Sequence, residues 1–197
     1  LGNKDIIALL RREDHAALTD LARLRGSKVL RYLTGRLYSE DQEEKWRAVR
    51  ALGAIVADRR VLGRAKAADL LQRYFWSLND ESGAVPFGVP EAIGEILAAR
   101  PELQVDFLSP LCAMITHEDF LQTGPIERGV IWALGRIGEP VVHCSAHAVQ
   151  GIAVAAEKHP DPDTKRVAAW SLARIQGAAG QAEDEPGSRD GNRAANT

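Results

Sequence analysis

Four ten-residue stretches of this chain superimpose without a gap, and this repeat limits the possible folds more than any other feature. They are Trp46-Arg47-Ala48-Val49-Arg50-Ala51-Leu52-Gly53-Ala54-Ile55, Phe87-Gly88-Val89-Pro90-Glu91-Ala92-Ile93-Gly94-Glu95-Ile96, Arg128-Gly129-Val130-Ile131-Trp132-Ala133-Leu134-Gly135-Arg136-Ile137 and Arg166-Val167-Ala168-Ala169-Trp170-Ser171-Leu172-Ala173-Arg174-Ile175. With Leu52, Ile93, Leu134 and Leu172 as anchors, the intervals are 41, 41 and 38 residues. Each anchor follows Ala or Ser, precedes Gly or Ala, and has an Ile three positions on. That spacing puts anchor and Ile on one face of a helix. A glycine inside a helix costs about 1 kcal/mol relative to alanine. The recurrence at Gly53, Gly94 and Gly135 therefore predicts a compensating close approach by a neighbouring helix.

Composition agrees with helices throughout. The 197 residues include 30 Ala, 21 Leu and 19 Arg against 13 Val and 11 Ile, a helix-former's mixture. Further helical patterns fall between the anchor helices. Residues 60–78 turn Val61, Ala65, Ala68, Leu71 and Phe75 inward, and residues 104–115 do so with Phe107, Leu108, Leu111 and Met114. Residues 141–157 carry Val142, Ala146, Val149, Ile152 and Ala153 at helical spacing, and three short helices are expected upstream, over 4–11, 14–24 and 27–37. Turns fall at Asp80-Glu81-Ser82-Gly83, Arg100-Pro101, Gly124-Pro125, Gly138-Glu139-Pro140 and His159-Pro160-Asp161-Pro162. No alternating strand pattern is present. After Gln176 there is no Val, Ile, Leu, Met or aromatic residue, so 177–197 reads as a disordered tail behind a helical domain spanning 1–176.

A helix-pair repeat of about forty residues whose second helix reads Arg128-Gly129-Val130-Ile131-Trp132-Ala133-Leu134-Gly135-Arg136-Ile137-Gly138-Glu139-Pro140 resembles the HEAT repeat, in the short bacterial form of the phycocyanobilin-lyase-like proteins. The resemblance covers about residues 40–176. The run from Trp76-Ser77-Leu78-Asn79-Asp80-Glu81-Ser82-Gly83 to Val89-Pro90-Glu91-Ala92-Ile93-Gly94-Glu95-Ile96 is similar to a segment of small bacterial HEAT-repeat proteins of uncharacterised function. The second unit departs from the HEAT pattern at Pro90. What the resemblance implies is an all-α superhelix, a HEAT/armadillo-like solenoid exposing a groove for partners. It implies no reaction. In the same repeats an Arg at the position of Arg128 and Arg166 often bridges neighbouring units through an acidic partner.

The segment before the second anchor holds the first set of candidate binding residues: Trp76, Asn79, Glu81, Phe87, Glu91 and Glu95. Glu91 and Glu95 stand i, i+4 on one helix, so they read either as a carboxylate pair in a polar-aromatic pocket or as part of a capped turn. The second set is Arg128, Trp132 and Trp170. The two tryptophans share the position two before the anchor, as an aromatic stripe in the groove or as packing between repeats. His143 and His147, i, i+4 on an expected helix, have the spacing of a metal-binding pair but lack further ligands nearby. No cofactor or metal is expected.

Two cysteines, Cys112 and Cys144, in no CxxC spacing, fit buried free thiols in a reducing cytoplasm better than a disulfide framework, the alternative being a secreted protein with one long-range bridge. No apolar run reaches the ~18 residues of a membrane span. Phosphate-loop, dinucleotide, nucleophile-elbow and HExxH motifs are missing. The net charge of −2 hides an asymmetry: residues 1–78 hold 16 Lys and Arg against 10 acids, and 79–197 hold 9 against 17. The basic half, with Arg11, Arg12, Arg23, Arg25, Lys28, Arg31, Arg36, Arg59 and Arg60, reads as exposed helix faces or as an electrostatic patch. The expected function is that of a non-catalytic scaffold presenting a concave face to another protein or peptide. The alternatives are a chromophore or cofactor lyase or carrier, as the resemblance to bilin-lyase HEAT proteins suggests, and a nucleic-acid binder of DNA-glycosylase type.

Overall fold

A computed structural model describes residues 3–79, 85–115 and 124–177. The expected tail over 177–197 lies outside them apart from Gly177. The described residues form ten α-helices and one 3₁₀ turn, with no strand. The chain divides into two compact units, Leu1–Arg100 and Pro101–Thr197.

The first unit contains α1 (Asn3–Arg11), α2 (His15–Arg36), α3 (Gln42–Ala57), α4 (Arg64–Leu78) and α5 (Val89–Ala99). α2 packs on α1 and α3, and α5 packs on α3 and α4. Asp14 caps α2 by accepting from the Ala17 amide, and Asp41 caps α3 by accepting from the Glu43 and Glu44 amides. The core joins Leu18, Val29, Leu33 and Leu37 of the α2 region to Leu52 and Ile55 of α3 and Ile93, Ile96 and Leu97 of α5, all fully buried. The two helices expected over 14–24 and 27–37 follow one another directly within α2, separated by a kink where Arg25 leaves helical geometry at φ −143°, ψ 43°.

α4 corrects the expected inward face. It begins at Arg64 and buries Ala67, Leu70, Leu71 and Tyr74, while Ala65 is exposed and Phe75 only half-buried. A rotation of about one residue separates the two faces. Burying Tyr74 rather than Phe75 is made affordable by a partner for its hydroxyl, which is hydrogen-bonded to Thr34 Oγ1 at 2.9 Å. Burial pushes the Tyr74 phenol well above its ordinary pKa, so it stays neutral.

The second unit opens with the 3₁₀ turn Pro101–Leu103 and continues with α6 (Gln104–Ala113), α7 (Gly124–Ile137), α8 (Pro140–Cys144), α9 (Ala146–Lys158) and α10 (Pro162–Ile175). α10 packs on α7 and α9, and α8 packs on α6 and α9. Phe107, Leu108, Leu111 and Met114 are buried as the pattern required. α7 ends on Gly138 at φ +80°, a conformation that favours glycine, and Pro140 starts α8. The single helix expected over 141–157 is broken at Ser145, whose backbone is extended and whose Oγ caps α9 by accepting from the Ala148 amide at 3.1 Å. The break shifts the helical phase, so Val142 is exposed and Ala148 and Ile152 form the inward face.

Candidate functional site

The glycine expectation holds at two anchors. A Cβ on Gly53 would lie 2.9 Å from Cβ of Glu95, so α3 and α5 approach across it. A Cβ on Gly135 would lie 2.6 Å from Cα of Ser171, so α7 and α10 meet nearly backbone to backbone. Ser171 Oγ donates to the Ile131 carbonyl at 2.8 Å, and Arg174 Nε donates to the Gly135 carbonyl at 3.2 Å. Contacts along each pair rise together in number, from Lys45–Glu91 to Gly53–Glu95 and from Trp132–Trp170 to Gly135–Arg174. Within each unit the two anchor helices therefore run parallel.

Glu91 is the most unusual side chain among the candidates. It sits in the first turn of α5, behind Gly88 and Pro90, and is buried. Pro90 fits because the first helical turn has no intrahelical acceptor for its missing amide hydrogen. Its partner is Lys45 of α3, also buried, whose Nζ donates to Glu91 Oε1 at 3.1 Å and lies 4.8 Å from the Trp46 ring centre. Gly88 makes room for the lysine stem: a Cβ there would lie 2.7 Å from Lys45 Cγ. The Gly88 amide donates to the Leu37 carbonyl at 2.8 Å, fixing the lead-in of α5 to the end of α2. Glu91 Oε2 is enclosed with no hydrogen-bond partner among the described residues. The desolvated pair fixes α5 on α3 through its own charges, and it is Lys45, not Glu95, that Glu91 engages. Glu95, half-buried, lies across Gly53 one turn further along.

The other candidates of the first unit separate. Trp76, in the last turn of α4, is 73% exposed. Asn79 caps the same helix, its Nδ2 donating to the Phe75 carbonyl at 3.1 Å. Phe87 is half-buried in the turn before α5, where its amide donates to the Val85 carbonyl at 3.0 Å. Glu81 lies outside the described residues.

In the second unit Trp132 is 2% exposed and stacks on Trp170, with ring centres 5.9 Å apart and planes 12° from parallel. The Arg174 guanidinium covers Trp170, 5.3 Å from its centre. The shared position of the two tryptophans thus forms packing between anchor helices. Arg128 reaches Asp161 Oδ2 at 3.5 Å and Asp163 Oδ2 at 3.8 Å, and Arg166 reaches Asp163 Oδ1 at 3.4 Å. Asp161 caps α10; hydrogen bonds from the Thr164 hydroxyl and amide, with Arg128 nearby, hold its carboxyl below the usual range. Beside this cluster His159 lies 3.3 Å from Glu127 Oε2 and accepts from the Asp161 amide at 3.0 Å through Nδ1.

The histidine pair does not survive folding. The break at Ser145 places His143 on α8 and His147 on α9, both exposed, with His143 3.9 Å from Glu139. Among the described residues no three metal-ligating side chains cluster. Four arginines of the basic half are matched by acids: Arg23 with Asp20 and Asp58, Arg36 with Glu44, Arg47 with Glu43, and Arg50 with Glu13. The Arg23 hydrogen bond holds the Asp58 carboxyl below its ordinary range. No described helix is long and apolar enough to cross a membrane.

Two residues escaped the sequence reading. Lys45 lies 46 positions from its partner and carries no local mark. Arg100 reads as turn punctuation beside Pro101, yet it is buried, and its Nη1 donates to the carbonyls of Val56 at 2.9 Å and Leu62 at 3.0 Å. It satisfies carbonyls at and beyond the end of α3, which lack helical partners.

No family model matches the chain, and no solved structure matches it. Over 123 residues it is 31% identical to an uncharacterised protein of Archaeoglobus fulgidus. The alignment spans 62% of this chain and 58% of that protein's length.

Proposed function

We propose that this chain is a HEAT-like helical-repeat module, an α-solenoid segment, that binds another protein without catalysing a reaction on it. The repeat reading is supported by the parallel pairing of anchor helices, α3 with α5 and α7 with α10, each across a glycine. Equivalent helices of successive repeats stack in this way because a lone helix pair cannot bury its apolar face.

The binding reading is carried by Trp76. Large aromatics exposed at the end of an otherwise amphipathic helix are uncommon on a solvated surface and frequent as anchors of protein interfaces. Trp76 presents most of its indole to solvent, while the opposite face of α4 is held in the core by Leu70, Leu71 and Tyr74. Trp132, Trp170 and Glu91 are occupied by the fold itself.

A photo-crosslinking aromatic at position 76 in the full chain, irradiated in extract of the source cells, tests the reading. A discrete covalent partner is expected, and Trp76→Ala should lower its affinity capture at least about tenfold. Equal capture by Trp76→Ala with unchanged circular dichroism overturns the assignment of this surface.

A further inference from the structure

We propose that the surface marked by Trp76 takes an acidic protein segment, laid along the outer sides of α2 and α4. The proposal rests on the protein-binding reading of Trp76 and adds the chemistry of the partner. The two helices lie side by side within the first unit. Tyr74 of α4 meets Thr34 of α2 at 2.9 Å, and a Cβ on Gly26 of α2 would lie 3.9 Å from Val61 Cγ1, three residues before α4. The two contacts rise together in number, so the helices run in the same direction. α2 carries five Lys and Arg and α4 three, while the acids of the pair are Asp20 and Asp69.

Four of these cations are free. Lys28 and Arg31 of α2 and Lys66 and Arg73 of α4 are exposed, and none has a hydrogen bond or ion pair among the described residues. Arg23, Arg36, Arg47 and Arg50, by contrast, are matched by acids of the same unit. Arg31 stands one turn before Thr34, and Arg73 directly before Tyr74, so both flank the line where the helices meet. Trp76, three residues after Arg73, closes one end of this face, and Leu24 of α2, 80% exposed, stands toward the other. Unmatched cations beside an exposed indole steer an acidic partner and then offer it apolar area to bury. Asp69, also exposed, lies between Lys66 and Arg73 and decides the class of partner. A uniform polyanion, nucleic acid or an anionic bilayer, would press negative charge against Asp69. A protein segment sets its acids against the cations and a neutral or basic residue against Asp69.

The test sequences the segment crosslinked to a photoreactive aromatic at position 76 of the full chain and measures capture of that partner by charge variants. The segment is expected to be net acidic. Arg31→Glu with Arg73→Glu, and separately about 0.5 M salt on the wild type, should each lower capture at least about tenfold. A crosslinked segment without net negative charge overturns the proposal. So does loss of the crosslink on nuclease treatment or in the presence of phosphatidylcholine vesicles with about 20% phosphatidylserine, which assigns the face to a polyanion instead. Capture that survives both charge reversal and salt while Trp76→Ala is still deficient overturns the acidic partner and leaves the Trp76 surface standing. Capture lost on charge reversal but unchanged in Trp76→Ala overturns the anchor and not the acid-binding face. The salt dependence of the wild type decides the matter even if the reversal variant fails to fold.

Discussion

The position two residues before the anchor is Glu91 on α5, but Trp132 on α7 and Trp170 on α10. In the first unit this position carries a buried charge paired with Lys45, while in the second it carries two stacked indoles. Both join parallel helices beside a glycine, but in different registers: Trp132 and Trp170 occupy equivalent positions, whereas Glu91 pairs with Lys45 and its equivalent on α3, Arg50, reaches Glu13. An ion pair binds by charge and imposes a desolvation cost. A stack binds by area and shape.

This contrast predicts different responses to damage. Glu91→Ala leaves Lys45 buried and unpaired and should cost about 3–5 kcal/mol in urea unfolding, with most of the loss recovered by Lys45→Met with Glu91→Leu. Trp132→Ala should cost a similar amount, about 3–5 kcal/mol, through the cavity it leaves, and Trp132→Leu with Trp170→Leu should give no recovery because two volumes are lost. If the doubly apolar first unit stays as unstable as the single variant, the ion pair is not replaceable by shape and the contrast fails.

The glycines sharpen the comparison. Gly135→Ala meets Ser171 Cα, which moves only with the backbone, and should cost about 1–3 kcal/mol by thermal unfolding. Gly53→Ala meets Glu95 Cβ at 2.9 Å, a smaller overlap than the 2.6 Å at Ser171 Cα, and should cost less, about 1 kcal/mol. A reversed order would mean that α10 yields more readily than Glu95.

Acid should affect both units through capping and clamping carboxylates. Asp58 and Asp161 have folded pKa values below the unfolded value, so their contribution is present above about pH 4 and is lost as pH falls through the folded values. Asp58→Asn and Asp161→Asn should each flatten the fall of the melting temperature with acid. The smallest stability effect belongs to Trp76→Ala, within about 0.5 kcal/mol of wild type, because its indole faces solvent. Loss of partner capture with this unchanged stability would separate recognition from folding.

Local spacing made the anchor helices, the turn at Gly138-Glu139-Pro140 and the buried side of α6 legible, because each depends on residues within a few turns of one another. The face of α4 was misread because the choice between Tyr74 and Phe75 depends on Thr34, 40 residues away. The candidate set was legible as residues but not as a site. Neighbouring candidates such as Trp76 and Asn79 part company, one to solvent and one to a helix cap, and Glu91 joins a lysine that no motif marks.

By itself the sequence determined an all-helical chain, the period of its anchors and the positions where helices must approach closely, since helical periodicity and the cost of an internal glycine act along the chain. Tertiary structure alone decided which chemistry fills those positions. It matched Glu91 with Lys45 and Trp132 with Trp170, because burial and pairing depend on distances between segments that local spacing leaves undetermined.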